Sequence, residues 1–177
     1  MINKTLQLQQ RISQEICAFR GTRRSLELAS IDSHGMPHAS CTPFVYQDGS
    51  YYILISELAI HGQNLKYNSH VGILLLDDEA DTQDIFARRR LTYTAIAQPI
   101  ERQSDTWQVV LSALQARAGQ TVAMLSTLAD FKLYRLQPIT GRYVKGFGKA
   151  YQIDEKEFPG ITPLDESNIK GHSPRVS

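Results

Sequence analysis

The sequence predicts a mainly β fold, a small antiparallel barrel with helices at its periphery, on three observations. About six or seven short runs show the alternating or continuous apolar character of strands. Most are joined by short connections, and Asp48-Gly49 between "SCTPFVYQ" and "YYILIS" is strong hairpin chemistry. Helical spacing is confined to separate segments before and between those runs, which puts the helices outside a closed sheet.

Each element follows in order. From Asn3 to Phe19, Leu6, Ile12, Ile16 and Phe19 recur near helical spacing and Gly21 supplies a stop. "SLELASID" alternates, with Leu26 and Leu28 on one face, and "SHGMPHAS" is turn chemistry around Gly35 and Pro37. Two strands and the Asp-Gly hairpin come next. Ser56 can cap a short helix through "ELAIHGQNLKY", with Leu58, His61 and Leu65 on one face. "HVGILLLDD" reads as a buried strand, "DEADTQDIFARRR" as a polar connection, and "LTYTAIAQPIE" as another strand. Asp105 and Gln108 resemble a capping box opening a helix through Trp107, Val110, Leu111 and Leu114. A second short helix, "QTVAMLSTL", follows Gly119. "FKLYRLQP" alternates, with a phase slip near its end, and "RYVKGFGKAYQI" reads as the last strand. The expected organisation is one barrel domain over 1–154 and a C-terminal tail over 155–177, rich in proline and without periodicity.

The bulk numbers narrow the function. A chain of 177 residues, 42% hydrophobic, fits one domain with a real core. Nineteen Lys and Arg against 18 Asp and Glu give a net charge of +1, so bulk charge argues for neither nucleic-acid binding nor disorder. Cys17 and Cys41 fit no metal-ligand spacing and are expected to be reduced, buried thiols. No apolar run approaches the roughly 18–20 residues of a membrane span. "MINKTLQLQQ" lacks the apolar stretch of a signal peptide. A soluble, cytoplasmic protein that does not bind membranes is expected, and a small barrel leaves edges that dimerisation commonly covers.

Five features carry candidate chemistry, each with a plainer structural reading. His172, in the polar stretch "IKGHSPRVS", is either a solvated tail residue or a ligand for haem iron or another borderline metal. Asp130 either ends a helical segment or supports a ligating histidine by accepting its ring N–H. Arg88, Arg89 and Arg90 form either a solvated charge run or, by alternation, one with an arginine in a cleft suited to carboxylates or phosphates. In "YVKGFGKA", Gly146 and Gly148 flank Phe147, with Lys145 and Lys149 outside. This is either a barrel corner or a strand against which a flat anionic aromatic ligand lies. His61, on the apolar face of its helix, is either satisfied packing or a ligand. No Ser-His-Asp arrangement, Cys-x-x-Cys or HExxH occurs, and the "GFG" is not a dinucleotide fingerprint.

These residues also carry a resemblance. "IDSHGMPHASCTPFVYQDGSYYILISELAIHGQNLKYNSHVGILLLDDE" resembles the pyridoxamine-phosphate-oxidase-like, FMN-binding split-barrel superfamily. "DFKLYRLQPITGRYVKGFGKAYQI", with the terminal Gly171-His172, resembles its haem-utilisation branch, the HugZ/HutZ proteins. The resemblance implies a dimeric split barrel that binds haem at the subunit interface and degrades it with oxygen and an external electron donor. It also implies roles: His172 as the axial ligand, Asp130 as the carboxylate supporting it across the dimer, and Arg90, just before "LTYT", as the arginine near the iron's open side. Lys145, Gly146, Phe147, Gly148 and His61 are the further haem-contacting candidates. Ala95 stands where the superfamily commonly has a glycine, which favours haem over a flavin phosphate. Two alternatives stay open. One is an FMN-dependent oxidoreductase with the Arg88–Arg90 run and Lys66 near the phosphate. The other is a haem carrier or store that ligates but does not turn over.

Overall fold

A computed structural model describes residues 3–154 and 157–164, so Lys170, Gly171 and His172 lie outside the described residues. In chain order the elements are α1 (Lys4–Thr22), β1 (Ser25–Ile31), β2 (Pro37–Pro43), β3 (Val45–Gln47), β4 (Ser50–Ser56), α2 (Ile60–Tyr67), β5 (His70–Leu76), β6 (Arg90–Ile100), α3 (Asp105–Ala118), α4 (Thr121–Thr127), β7 (Phe131–Val144), β8 (Ala150–Asp154) and β9 (Ile161–Leu164). The strands form one antiparallel sheet in the order β2-β1-β5-β6-β7-β4-β3, with β8 added beside β7 and β9 beside β8. The sheet curls until β2 comes against β4. β7 organises this shape. Its first half pairs with β4 (Phe131↔Ser56 to Leu136↔Tyr51) and its second half with β8 (Thr140↔Asp154 to Val144↔Ala150), while β6 runs along its other edge. This is the expected mainly β split barrel with peripheral helices.

The phase slip in "FKLYRLQP", from Leu133 to Leu136, arises because both faces of β7 are buried there, Leu133 in one core and Leu136 in another. Further along, between Thr94↔Thr140 and Ala95↔Pro138, the register shifts and leaves Ile139 as an extra residue in β7. A bulge inverts the side-chain parity of a strand. Tyr134 and Leu136 therefore face the barrel core before it, and Gly141 and Tyr143 do so after it. Leu133 turns to the opposite face and packs with Trp107, Val110 and Leu114 of α3 in a second core. The barrel core is built from Leu26 and Leu28 of β1, Ile53 and Ile55 of β4, Val71, Ile73 and Leu75 of β5, and Leu91 and Tyr93 of β6, with Ile12, Ile16 and Phe19 of α1 closing one end.

Local expectations meet several corrections. Asp48 (φ 49°) and Gly49 (φ 77°) make a two-residue hairpin turn with both residues left-handed, fixing Gln47 opposite Ser50. α1 begins as read, capped by Asn3 Oδ1, but Leu6 is 44% exposed and burial starts at Leu8 and Ile12. Leu58 is 75% exposed and precedes α2, so it is not on that helix's buried face. The cap of α3 is Ser104, whose Oγ accepts the N–H of Trp107 at 3.2 Å, one residue before the expected Asp105. "RYVKGFGKAYQI" is not one strand but the end of β7, a hairpin over 145–149 and the start of β8. Cys17 and Cys41 are free, as expected, but exposed rather than buried, because both fall on the outward phase of their elements. Strand structure continues past residue 154: β9 pairs with β8, Ile153↔Ile161 to Ala150↔Leu164.

Candidate haem-binding groove

The face of the sheet turned away from the core carries two adjoining grooves. The larger, about 510 Å³, runs across β1, β5, β6, β7 and β8 over Glu27, Ala29, Gly72, Leu74, Thr94, Thr140 and Gln152. The second, about 400 Å³, lies between the 3-10 turn at 85–87 and the β7–β8 hairpin, and is lined by Phe86, Arg90, Val144, Gly146, Phe147, Gly148, Ala150 and Leu164. Thr92 and Arg142, paired across β6 and β7, line both. Volumes of this order suit small-molecule sites.

The second groove assembles four residues expected from the sequence: Arg90, Gly146, Phe147 and Gly148. Alternation explains why Arg90 reaches it. Leu91 and Tyr93 point into the core, so Arg90 and Thr92 point out. The other arginines of the run are otherwise engaged. Arg89 makes a two-armed pair with Asp77, Nε to Oδ2 at 2.8 Å and Nη2 to Oδ1 at 3.0 Å. Arg88 donates to the Asp77 carbonyl and pairs with Glu79 at 3.2 Å. Arg90 donates only to the Arg88 carbonyl, at 3.0 Å. Among the described residues no carboxylate pairs with Arg90 or with Arg142. The hairpin holds Phe147 out: Lys145 and Lys149 close it by backbone hydrogen bonding, and Gly148 sits at φ 63°, where a side chain is strained. Phe147 is 70% exposed and Phe86 82% exposed. Two solvent-facing aromatic rings beside two arginines without carboxylate partners suit a flat apolar ligand that carries anionic groups. A haem with its two propionates fits that description.

The remaining candidates lie elsewhere. Lys145 points from the hairpin towards α1 and pairs with Glu15 at 2.5 Å. His61 packs against β2, its Nδ1 3.1 Å from Ser40 Oγ. Burial, and then the nearby His38, hold the His61 pKa below its ordinary value. Asp130 sits at the start of β7, where Oδ2 accepts from Ser56 Oγ at 2.5 Å and its carbonyl accepts from the Glu57 N–H. Lys66 faces Glu57 at 3.5 Å. Ala95 is fully buried at the bulge and lines neither groove. His172 lies outside the described residues. Leu164, eight residues before it (172 − 164), lines the groove, and eight residues span at most roughly 26–29 Å.

Phe86 and Arg142 went unseen in the sequence. An aromatic residue inside the polar "TQDIFARRR" was a signal for the first. The second depends on the Thr92↔Arg142 register, which the sequence does not display. A buried polar cluster was missed too: Arg20, Tyr46, Tyr51, Tyr93 and Glu157 join by hydrogen bonds at one end of the barrel.

Comparison with known proteins identifies the family and the fold. The profile of the family described as pyridoxamine 5'-phosphate oxidase matches residues 12–145. A protein from Vibrio cholerae serotype O1, named heme oxygenase HutZ, is 41% identical over 167 residues, covering 94% of this chain and 95% of that one. A crystal structure of HutZ, described as the heme storage protein of Vibrio cholerae, superposes with a TM-score of 0.68 at 42% identity, covering 71% of this chain and 88% of that one. The crystal structure of Campylobacter jejuni ChuZ superposes with a TM-score of 0.83 at 27% identity, over 95% of this chain and 68% of that one. Among the described residues no helix is long and apolar enough to cross a membrane.

Proposed function

The chain belongs to the pyridoxamine 5'-phosphate oxidase split-barrel family, in its HugZ/HutZ haem-utilisation branch, and on that premise we propose that it binds haem in the Phe86–Phe147 groove and degrades it with oxygen. The observation that carries the reading is the groove's chemistry: two exposed rings and two arginines with no carboxylate partner among the described residues, beside the strand from which the chain continues towards His172. HutZ, at 41% identity, is named a heme oxygenase.

Haem, as substrate and cofactor, supplies the one-electron and dioxygen chemistry; this chain supplies binding, orientation and electrostatics. Neutral His172 donates a ring nitrogen to the iron. Asp130 accepts the opposite ring N–H, fixing the tautomer and strengthening the donor. Arg90 directs its N–H groups at the iron's open side and stabilises negative charge there. Arg142 pairs with a propionate. Phe86 and Phe147 cover the apolar ring and limit water. In this reading the protein works in the cytoplasm as a homodimer, and an external electron donor feeds it, because nothing in the sequence suggests a reductase module.

The FMN alternative is supported by fold alone, and of the cations it calls on, Arg88, Arg89 and Lys66 each face a carboxylate, which leaves it Arg90. Turnover separates degradation from storage. With hemin bound, adding ascorbate in air is expected to bleach the Soret band and release iron to a ferrous chelator. A stable ferrous or oxygenated spectrum with no iron released would make the protein a carrier.

A further inference from the structure

The Arg20 guanidinium, at the end of α1, is buried (5% exposed) in a ring of tyrosines. Its Nε donates to Tyr51 Oη at 3.0 Å, and its plane lies over the Tyr46 ring, 3.6 Å from the centroid. A charge so placed is costly unless a carboxylate meets it. Glu157 meets it from beyond β8: its Oε1 accepts from Arg20 Nη2, from Tyr93 Oη at 2.6 Å and from Tyr46 Oη at 3.5 Å. Burial, and then the Glu157 charge, push Tyr46 up to about 12, so its phenol keeps the proton it donates. One carboxylate thus ties together α1, β3, β6 and, through Arg20, β4. A second tie follows it: Gln9 of α1 donates to the carbonyls of Pro159 and Ile161 at 2.6 and 3.0 Å. The chain then enters β9, which delivers Leu164 to the haem groove.

β9 is only four residues long and is paired on one side by β8. A slip of one residue would turn every side chain of this short strand to the other face and take Ile161 (1% exposed) out of the core. The Arg20 site accepts an acid and nothing apolar, so it and the burial of Ile161 select the same alignment. We propose that Glu157 is a positioning residue for the iron ligand: its pairing with Arg20 helps fix the register of β9 and so the place of Leu164, from which the chain runs on to His172. This rests on the haem reading above.

The test uses full-length protein, wild type and Glu157→Gln, each with and without His172→Ala. Hydrogen exchange of the apoprotein reads β9 directly. In Glu157→Gln the amides of Thr162 and Leu164 in β9 are expected to lose about tenfold protection while those of β6 keep theirs. On hemin titration the same variant is expected to bind about tenfold more weakly and to lose part of the His-ligated Soret signature. In the His172→Ala background it is expected to change hemin affinity by less than about twofold, because a residue acting through His172 has nothing left to act on. Unchanged protection of Thr162 and Leu164 would overturn the proposal, and so would equal weakening in both backgrounds. If His172→Ala alone leaves the hemin spectrum unaltered, the haem-ligand reading fails instead, and the exchange data still decide whether Glu157 holds β9. Should Glu157→Gln not fold, Tyr93→Phe removes one hydrogen bond from the same carboxylate and carries the same expectations at smaller size.

Discussion

Arg90 and Asp130 stand at opposite ends of β7: Arg90 pairs with Val144 at the last residue of the strand, whereas Asp130 immediately precedes Phe131, the first. The fourteen residues between those ends have a contour of roughly 45 Å. On the haem reading proposed above, a site that uses both Asp130 and Arg90 would draw them from two chains. The long outer-face groove joins the Arg90 groove through Thr92 and Arg142, which gives a second copy a surface continuous with the site.

Subunit complementation tests that arrangement. Arg90→Ala and Asp130→Asn are each expected to bind hemin and turn it over poorly. Mixed equally and allowed to exchange, half of the dimers are hybrids, and each hybrid holds one site with Arg90 from one chain and Asp130 from the other. About a quarter of wild-type turnover should return. No recovery above the separate variants would put both residues in one chain.

Arg142 is expected to hold a propionate. Arg142→Ala should weaken hemin binding about 5- to 30-fold, or about 1–2 kcal/mol, as the loss of a charge-assisted hydrogen bond predicts. The effect should shrink as salt is raised. Titration with the hemin dimethyl ester, which lacks the carboxylates, should then give wild type and variant the same affinity.

The tyrosines give a pH prediction. Burial raises the pKa of Tyr46, Tyr51, Tyr93, Tyr134 and Tyr143 in the folded state, Tyr46 to about 12, against about 10 unfolded. Above pH 10 the unfolded chain has released protons that the folded chain keeps, so stability falls as pH rises from 10 towards 12. Below pH 10 both states are protonated at these groups, and their contribution does not vary. In a spectrophotometric titration of the eight tyrosines, these five should ionise only in the step that unfolds the protein. Their reversible ionisation near pH 10 in folded protein would contradict the packing described.

The sequence revealed most where a local rule decides the outcome. Asp48-Gly49 has few conformations open to it, and the 2-residue period of β1 and the inward phase of Ile12, Ile16 and Phe19 follow from which residues must leave water. It revealed less where a distant partner decides. The bulge at Ile139 leaves no mark on the alternation of "FKLYRLQP", because an inserted residue shows itself only through the register with β6. "KGFG" lies between the strand-like runs "RYV" and "AYQI" and so reads as strand; the left-handed backbone at Gly148 makes it a hairpin. Nothing local marks Arg20 for burial, because its burial depends on a carboxylate 137 residues away. In the groove, Gly146, Phe147 and Gly148 were singled out by residue type and pattern, and Arg90 among its three arginines by the resemblance. Arg142 and Phe86 join them only through strand pairing and a 3-10 turn.

The most direct test is a hemin titration followed by absorption, with wild type beside His172→Ala. The account predicts a saturable Soret band in wild type that weakens or shifts markedly in the variant. It also predicts that wild type loses that band in acid as the ligating imidazole takes up a proton, whose unperturbed pKa is about 6.5. Superimposable spectra and affinities for the two proteins would contradict it and leave His172 no part in holding the iron.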